Sequence, residues 1–196
     1  DVLTCNLSGN DSALFDCTIT GTSVDLAFSA APDFENHADV GGNGDYDVSL
    51  VINDGTNNGN QLDYVITVTD VNDNAPTYSS AGTSPSIAEN TTAVESLAIS
   101  DVDTTGETHS CVLSGDDAAL FSCSVAGGSA DLAFSPAPDF ELATDTGSNS
   151  VYDVSVVISD GTNSGSQVDY SITVTDVEDQ ALSYSSASLT PAVAEG

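Results

Sequence analysis

The fold class is decided by one stretch, Tyr46-Asp-Val-Ser-Leu-Val-Ile52, in which apolar residues occupy every second position. A second stretch, Leu62-Asp-Tyr-Val-Ile-Thr-Val68, alternates in the same way. Between them lies Asp54-Gly-Thr-Asn-Asn-Gly59, whose residue types tolerate the positive φ of tight turns. Because a period of two turns one face inward and the other outward, the pattern predicts half-buried β-strands. Nothing in the chain resembles a long helix.

The chain repeats itself with an offset of 106 residues. Aligning 5–80 with 111–186 gives 49 identical residues in 76 positions, and no gap is needed. A third copy begins at the end of the chain, where Pro191, Ala194 and Glu195 repeat Pro85, Ala88 and Glu89. Internal repeats of this kind indicate a tandem array of one structural unit.

The repeat divides the chain into one complete unit, 75–180, an earlier unit, 1–74, that lacks its N-terminal strands, and the first strand of a following unit, 181–196. Strands are expected in the complete unit near 84–89, 93–100, 108–114, 119–125, 130–135, 151–159 and 167–175. Seven short strands in about 105 residues predict an all-β fold, namely an antiparallel β-sandwich.

Two interpretations of the incomplete first unit remain open. The chain is a window of a longer tandem array, or subunits exchange a strand head to tail, so that residues 187–196 complete the next subunit. The first is favoured because a tail of about ten residues cannot supply both missing strands.

The charge of the chain excludes several classes of partner. There are 31 acidic residues and no Lys or Arg, which gives a formal net charge of −31. Nucleic acids and anionic lipid headgroups are bound mainly through Lys and Arg, so neither is an expected partner. No apolar run approaches ~18 residues, and membrane insertion of this segment is not expected. Cations that offset the repulsion must come from outside the chain.

Four cysteines follow the repeat, Cys5 and Cys17 in the first unit and Cys111 and Cys123 in the second. Cys5 alternates in phase with Leu7, so it points into the core. One disulfide within each unit is the natural pairing, and it implies an oxidising, extracellular setting. Two buried free thiols are the alternative. A Cys-based metal site is less favoured, because the nearby His109 is matched by Leu3 in the other unit.

Acidic and amide residues cluster where predicted strands end. Asp70-Val-Asn-Asp-Asn-Ala-Pro76 places four side-chain oxygen donors in five residues, and Asp101-Val-Asp103 follows a predicted strand. Asp33-Phe-Glu35 puts two acids on one side of an extended segment, and Glu89 lies at the first strand. Packing acids this closely is unfavourable without a cation, since like charges raise one another's pKa. Ca²⁺ takes six to eight oxygens of this kind, so the clusters predict a Ca²⁺ site.

These motifs, in this order, resemble those of cadherin repeats. The 70–76 stretch is similar to the family's linker signature, and the acid pairs are similar to its acid-x-acid and Asp-x-Asp motifs. The resemblance covers the whole chain. It implies tandem seven-strand Greek-key sandwiches of the immunoglobulin-like, cadherin type, with Ca²⁺ bound between successive domains.

The resemblance also implies two sets of Ca²⁺ ligands. At the first junction they are Asp33, Glu35, Asp70, Asn72, Asp73, Asn74, Asp101, Asp103 and Asp160. At the second junction they are Glu89, Asp139, Glu141, Asp176 and Asp179. The second linker, Asp176-Val-Glu-Asp-Gln-Ala-Leu182, departs from the pattern, with Glu178 and Gln180 in place of Asn. We therefore expect a weaker or more flexible second junction.

Two other functions are less well supported by the residues. Paired carboxylates can hydrolyse glycosides, but these acids recur at domain ends and neither His is repeated, so the chain is not expected to be an enzyme. A carbohydrate-binding β-sandwich module of a secreted surface protein would need exposed aromatic residues. The candidates are expected mostly to pack, and they are Phe34, Tyr78, Phe140 and Tyr184.

The sequence is thus interpreted as a Ca²⁺-rigidified extracellular tandem-repeat protein. It would serve as a structural filament, a stalk or a cell-surface adhesion segment. The expected partners are copies of itself, joined as head-to-tail repeats or in a filament, with surface glycans or neighbouring cells as further partners.

Overall fold

The structure, a computed structural model, describes residues 2–181. Its regular secondary structure consists of β-strands and two short 3-10 helices, Ser12–Leu14 and Ala118–Leu120. The all-β prediction is therefore confirmed. No helix within this range has the length and apolar character needed to cross a membrane. Residues 182–196, which hold nearly all of the predicted first strand of a following unit, lie outside the described residues.

The chain packs into two compact units. One consists of Asp1–Tyr78, Ile99–Ser110 and Ile158–Ser166, and the other of Ser79–Ala98, Cys111–Val157 and the residues from Gln167 onward. The first compact unit thus includes two segments from the second sequence repeat. The limits 1–74, 75–180 and 181–196 describe the sequence repeats, and as domain boundaries they stay a prediction.

The first repeat contains five strands in two sheets. They are β1 (Thr4–Ser8), β2 (Phe15–Thr20), β3 (Ser23–Phe28), β4 (Asp45–Asn53) and β5 (Leu62–Thr67). Strands β1, β4 and β5 form one antiparallel sheet in the order β1-β4-β5, and β2 and β3 form a hairpin. The predicted stretches 46–52 and 62–68 are β4 and β5, which pair with Tyr46 opposite Ile66.

The second repeat contains eight strands in two four-stranded sheets. They are β6 (Thr77–Ser79), β7 (Ser86–Ala88), β8 (Ala93–Ser100), β9 (Ser110–Ser114), β10 (Phe121–Ala126), β11 (Ser129–Phe134), β12 (Val151–Ser159) and β13 (Val168–Thr175). The sheet orders are β10-β11-β8-β6 and β7-β13-β12-β9. The strand predicted near 84–89 is β7, and β6 is an additional short strand that the sequence did not predict. Strand β6 joins the sheet of β8, whereas β7 pairs in parallel with β13 in the other sheet.

Both repeats bury the same aromatic core. In the first, the ring of Phe28 stacks at a tilt on Phe15 at 4.5 Å and meets Tyr46 edge-on at 5.1 Å. The second repeat has the same arrangement, made by Phe121, Phe134 and Tyr152. Edge-to-face and offset aromatic pairs contribute about 0.5–1.5 kcal/mol beyond the burial of their area.

One disulfide ties the two sheets of each repeat together. Cys5 on β1 is bonded to Cys17 on β2, and Cys111 on β9 is bonded to Cys123 on β10. The predicted pairing is thus confirmed, and the chain has no free cysteine. Because each bond closes a loop of 12 residues, the chain-entropy estimate of its stabilisation is about 3 kcal/mol.

Two buried carboxylates, those of Asp11 and Asp117, are bonded to backbone amides. Asp11 is 2% exposed, and its two oxygens accept the N–H groups of Val40 and Asp47, each at 2.7 Å. Asp117 repeats this arrangement in the second repeat, with the N–H groups of Thr146 at 2.7 Å and Asp153 at 2.8 Å. Hydrogen bonds to a charged acceptor are among the stronger ones, so these acids anchor the loops to the sheet.

Candidate metal centre

Three carboxylates come together in the first compact unit, those of Glu35, Asp70 and Asp103. One oxygen from each lies within 4.8 Å of the others. Asp103 is 3% exposed, and Glu35 and Asp70 are half-buried. We call this group the first cluster. It unites the acid pair of 33–35, the linker and the Asp-x-Asp motif, which are far apart in sequence.

The linker is held to the Asp-x-Asp loop by direct hydrogen bonds. Asn74 donates its backbone N–H to Asp103 Oδ2 at 2.8 Å and its side-chain amide to Asp103 Oδ1 at 2.9 Å. At the other end of the linker, Asp70 Oδ2 accepts both the N–H and the hydroxyl of Thr104, at 2.8 and 2.5 Å. These bonds fix the positions of Asp70 and Asp103, which are two of the three acids of the first cluster.

A third loop reaches the linker through a residue that the sequence did not single out, Asn163. Its side-chain amide donates to Asn72 Oδ1 at 3.0 Å and to the carbonyl oxygen of Asn74 at 2.8 Å. Asp160, which is 1% exposed, accepts the N–H of Asn163 at 2.6 Å and that of Thr162 at 2.7 Å through one oxygen. The only sequence signal was the return of Asp54-Gly-Thr-Asn57 as Asp160-Gly-Thr-Asn163.

Several buried carboxylate oxygens in this compact unit have no hydrogen-bond donor. They are Glu35 Oε1, Asp70 Oδ1, Asp101 Oδ2 and Asp160 Oδ2. A buried polar atom without a partner is costly, and a charged one more so. The groups near these atoms are carboxylates, side-chain amides and backbone carbonyls. Their oxygens are the ligands that Ca²⁺ prefers. The residues therefore fit a hard divalent cation.

The electrostatics of the first cluster also favour a bound cation. Burial raises the pKa of Glu35 above its ordinary value of 4.5, and the negative charges of Asp103, Asp73 and Asp70 raise it further. The hydrogen bond from Thr104 instead lowers the pKa of Asp70 and keeps that carboxylate charged. Several negative charges are thus held together at neutral pH, which is unfavourable until a cation offsets them.

Glu89, Glu141 and Asp176 form a second cluster, in the other compact unit, again with one oxygen from each within 4.8 Å of the others. Glu89 is 2% exposed, and its oxygens accept the N–H groups of Phe140 and Val177, each at 2.7 Å. Glu141 and Asp176 are exposed. Burial, followed by the charges of Glu89, Asp176 and Asp179, raises the pKa of Glu141. The weaker second junction expected from the linker sequence stays a prediction.

The remaining predicted ligands lie outside these two clusters. Asp33 Oδ1 accepts the N–H of Glu35 at 3.1 Å, and Asp139 Oδ1 accepts that of Leu142 at 2.9 Å, so both shape their own turns. Asp179 accepts the side-chain amide of Asn90 at 2.7 Å. Asn72 and Asp73 belong to the linker beside the first cluster, and Asp101 accepts the N–H of Asp103 at 3.3 Å. The assignment of all these residues as ligands stays a prediction.

His109 lies beside two acids of the same compact unit, Asp101 and Glu107. Its Nε2 atom is 3.7 Å from Asp101 Oδ2 and 4.0 Å from Glu107 Oε2, and the side chain of Asp101 is only 2% exposed. Of the aromatic residues expected to pack, Tyr78 donates its hydroxyl to the carbonyl of Ser166. Phe140, in contrast, exposes 39% of its surface, so it packs less than expected. Tyr184 lies outside the described residues.

Comparison with known proteins identifies the fold. No protein-family model matches the sequence, and no curated protein is significantly similar to it. Among solved structures, protocadherin gammaB7 EC3-6, described as a cis-dimer, matches 91% of this chain with a TM-score of 0.64 and 24% identity. Human protocadherin-24 EC1-2 matches 89% with a TM-score of 0.63 and 22% identity, and mouse cadherin-23 EC22-24 matches 89% with 0.59 and 22%.

The chain covers 41% of the first of these structures, 82% of the second and 53% of the third. The fold is therefore that of cadherin extracellular repeats, two of which follow one another here. The predicted resemblance and the predicted fold class are confirmed. The structures named are segments of cadherins and protocadherins, which are not enzymes.

Proposed function

We propose that this chain is a Ca²⁺-binding segment of an extracellular tandem-repeat protein that serves as a structural filament, a stalk or a cell-surface adhesion segment. The observation that carries the proposal is the set of buried carboxylate oxygens without donors around the first cluster. They come from the acid pair of the first sequence repeat, from the linker and from the following repeat. A cation bound there would join these three parts.

Some residues of the site position the linker, and others would bind the ion. Asn74, Thr104 and Asn163 hold the linker in place by hydrogen bonds. Glu35, Asp70 and Asp103 would hold the ion, with Asp101 and Asp160 as further candidates in the same compact unit. When bound, Ca²⁺ supplies positive charge and coordination bonds that offset the repulsion among these acids.

The disulfides support an extracellular location for this function. Bonds of this kind persist in oxidising environments, and the chain contains one in each repeat. Extracellular Ca²⁺ at millimolar concentration is sufficient to fill even weak sites. The same setting makes a cation available to a chain that has no Lys or Arg of its own.

Thermal unfolding of the 196-residue chain tests the metal site. Because the unfolded chain binds Ca²⁺ poorly, millimolar Ca²⁺ is expected to raise the melting temperature well above that in EGTA at equal ionic strength. Asp103→Asn is expected to remove most of this rise. The matched control is Asp16→Asn, which removes the same charge from the exposed face of β2. An equal rise with K⁺, or an unchanged rise in Asp103→Asn, contradicts the proposal.

Small-angle X-ray scattering tests the stiffening role. On chelation the profile is expected to become that of a more flexible chain. If it is insensitive to Ca²⁺ but changes when monovalent salt is lowered, the acids are a general surface charge and the structural role of the ion is wrong.

A further inference from the structure

The loop between β8 and β9 carries a histidine and two acids that do not belong to the first cluster. Asp101 begins this loop directly after β8, and His109 ends it directly before β9. Glu107 lies between them in the sequence, and all three residues belong to the same compact unit. We call Asp101, Glu107 and His109 the loop site.

Three buried atoms of the loop site have no hydrogen-bond partner. They are Asp101 Oδ2, Glu107 Oε1 and His109 Nε2. The side chain of Asp101 is 2% exposed, whereas those of His109 and Glu107 are 19% and 22% exposed. Burying polar atoms without a partner is unfavourable. A bound ion that these atoms could coordinate would offset that cost.

The ring nitrogen of His109 faces both acids. His109 Nε2 is 3.7 Å from Asp101 Oδ2 and 4.0 Å from Glu107 Oε2. Charge-assisted hydrogen bonds are about 2.7–2.9 Å long, so a proton on the ring does not bridge to either acid at these distances. Two ligands of one tetrahedral Zn²⁺ ion, each at about 2.1 Å, lie about 3.4 Å apart. The separation of Nε2 from Asp101 Oδ2 is therefore close to that of a pair of zinc ligands.

The backbone holds the loop in place and leaves one oxygen of Asp101 available. Asp101 Oδ1 accepts the N–H of Asp103 at 3.3 Å, and Thr108 donates its N–H to the carbonyl of Asp160 at 3.0 Å. Between these bonds Gly106 has a φ of +75°, a conformation that favours glycine and lets the chain turn. Because the bond to Asp103 uses only Oδ1, Asp101 Oδ2 remains for another partner.

The ligand atoms of the loop site select the kind of ion. Ca²⁺ takes oxygen ligands, whereas an imidazole nitrogen suits Zn²⁺ and other transition metals. Zn²⁺ binds histidine nitrogen and carboxylate oxygen, and a site with three protein ligands keeps a fourth position for water. The partial exposure of His109 and Glu107 gives the ion and this water access. We propose that His109, Asp101 and Glu107 bind Zn²⁺ in a site separate from the first cluster.

Glu107 completes this site by moving. Within residues 2–181, only the first and second clusters bring all their ligand atoms within 4.8 Å of one another. The carboxylate of Glu107 must therefore approach Asp101 when the ion binds, and its partly exposed side chain is free to do so. His109 and Asp101 form the fixed part of the site.

The inference goes beyond the proposed function and does not depend on it. None of the three residues belongs to the first cluster, and only Asp101 is also a predicted Ca²⁺ ligand. The test is therefore made in the presence of Ca²⁺, where Zn²⁺ has to bind while Ca²⁺ competes for the carboxylates.

Titration calorimetry of the 196-residue chain with Zn²⁺, in millimolar Ca²⁺, tests the site. One Zn²⁺ per chain is expected to bind. His109→Gln is expected to weaken this binding about a hundredfold or more, because a metal ligand is lost. The chain has one other histidine, His37, which packs edge-on against Phe34. His37→Gln is therefore the matched control and is expected to leave Zn²⁺ binding unchanged.

The two acids are tested in the same way. Asp101→Asn and Glu107→Gln are each expected to weaken Zn²⁺ binding about tenfold or more. Asp16→Asn, which removes one charge from the exposed face of β2, is the control. An equal weakening by Asp16→Asn would mean that Zn²⁺ is attracted by the general negative charge of the chain, and it would overturn the inference.

Histidine-selective NMR locates the bound ion. Zn²⁺ is expected to shift the ring nitrogen signals of His109 and to leave those of His37 in place. The rise in melting temperature with Ca²⁺ is expected to be the same in His109→Gln as in the unmodified chain, which also shows that the variant is folded.

The outcomes separate the zinc site from the calcium function. Absence of Zn²⁺ binding in millimolar Ca²⁺, Zn²⁺ binding that survives His109→Gln, or shifts of His37 alone would each show that the loop site is not a zinc site. Zn²⁺ binding that depends on His109, in a chain whose melting temperature does not respond to Ca²⁺, supports the zinc site and contradicts only the proposed function.

Discussion

Asn74 is bonded to both oxygens of the Asp103 carboxylate, to Oδ2 through its backbone N–H at 2.8 Å and to Oδ1 through its side-chain amide at 2.9 Å. An asparagine of the linker thus fixes the orientation of an acid in the following repeat. The corresponding residue of the second linker is Gln180, whose amide bonds to Asp179 at 3.0 Å. Asn74 makes the equivalent bond to Asp73 at 2.9 Å, so the two linkers differ in the additional bond from the Asn74 amide to Asp103.

Replacing Asn74 tests this role. Asn74→Ala removes the side-chain amide bonds to Asp103 and Asp73 and leaves the backbone bond, so the Asp103 carboxylate keeps one of its two bonds to Asn74. We expect the free energy of unfolding in Ca²⁺ to fall by about 1–2 kcal/mol, measured by urea denaturation. Gln180→Ala is the matched control and is expected to change stability by less. Equal losses from the two variants would mean that Asn74 has no special role.

The buried acids Asp11 and Asp117 make a second prediction. Asp117→Asn keeps the shape of the side chain but loses the charge that accepts the N–H groups of Thr146 and Asp153. We expect a loss of about 1–3 kcal/mol in the free energy of unfolding, and a similar loss for Asp11→Asn. Since neither residue belongs to a cluster, the Ca²⁺-dependent part of the stability should not change. A change in that part would show that these acids act on the metal site.

The dependence of stability on pH in EGTA follows from two opposite shifts. Hydrogen bonds from Ser155 and Gln167 lower the pKa of Asp169 below 3.8, so its contribution is present above pH 3.8 and is lost as the pH falls through the lowered value. Burial and neighbouring charges raise the pKa of Glu35 and Glu141 above 4.5. Their contribution is present below pH 4.5 and is lost as the pH rises through the raised values.

The melting temperature in EGTA is therefore expected to pass through a maximum at mildly acidic pH, near 4 to 5. In millimolar Ca²⁺ the maximum is expected to move toward neutral pH, because the ion binds the charged carboxylates. Melting curves recorded between pH 3 and pH 8 test this. A maximum at the same pH with and without Ca²⁺ would contradict the assignment of Glu35 and Glu141 to cation sites.

The disulfides make a further prediction. The double variant Cys111→Ala/Cys123→Ala removes the disulfide between β9 and β10. By the chain-entropy estimate, its free energy of unfolding is expected to fall by about 3 kcal/mol. Urea denaturation of the full chain measures the loss, and Cys5→Ala/Cys17→Ala provides the matched comparison. A loss near zero in both variants would show that the sheets are held together by the aromatic core alone.

Much of the fold could be predicted from the sequence because alternation is a local signal. Strand β8 matches the predicted range 93–100, and β12 matches 151–159. Strand β6 could not be predicted, since it has only three residues and carries no usable periodicity. Which sheet edge a strand this short joins depends on neighbours that are distant in sequence.

Part of the candidate site could be predicted because its acidic motifs resemble those of cadherin repeats. The resemblance to cadherin repeats supplied Glu35, Asp70 and Asp103, and the structure brings these three together. Asn163 was missed because its role depends on the approach of two loops, which residue spacing does not reveal.

The amide-bonded acids have a consequence for how this protein can vary. The donor to Asp11 Oδ1 is the backbone of Val40, and the donor to the equivalent oxygen of Asp117 is the backbone of Thr146. Val40 and Thr146 occupy equivalent positions of the two repeats. Their side chains differ, but the backbone hydrogen bond to the acid is the same. Because every residue except proline offers that N–H, these loops are free to change in evolution without a matching change in a partner. If a charged side chain had been the partner of each acid instead, a substitution at either of the two positions would have required a matching substitution at the other.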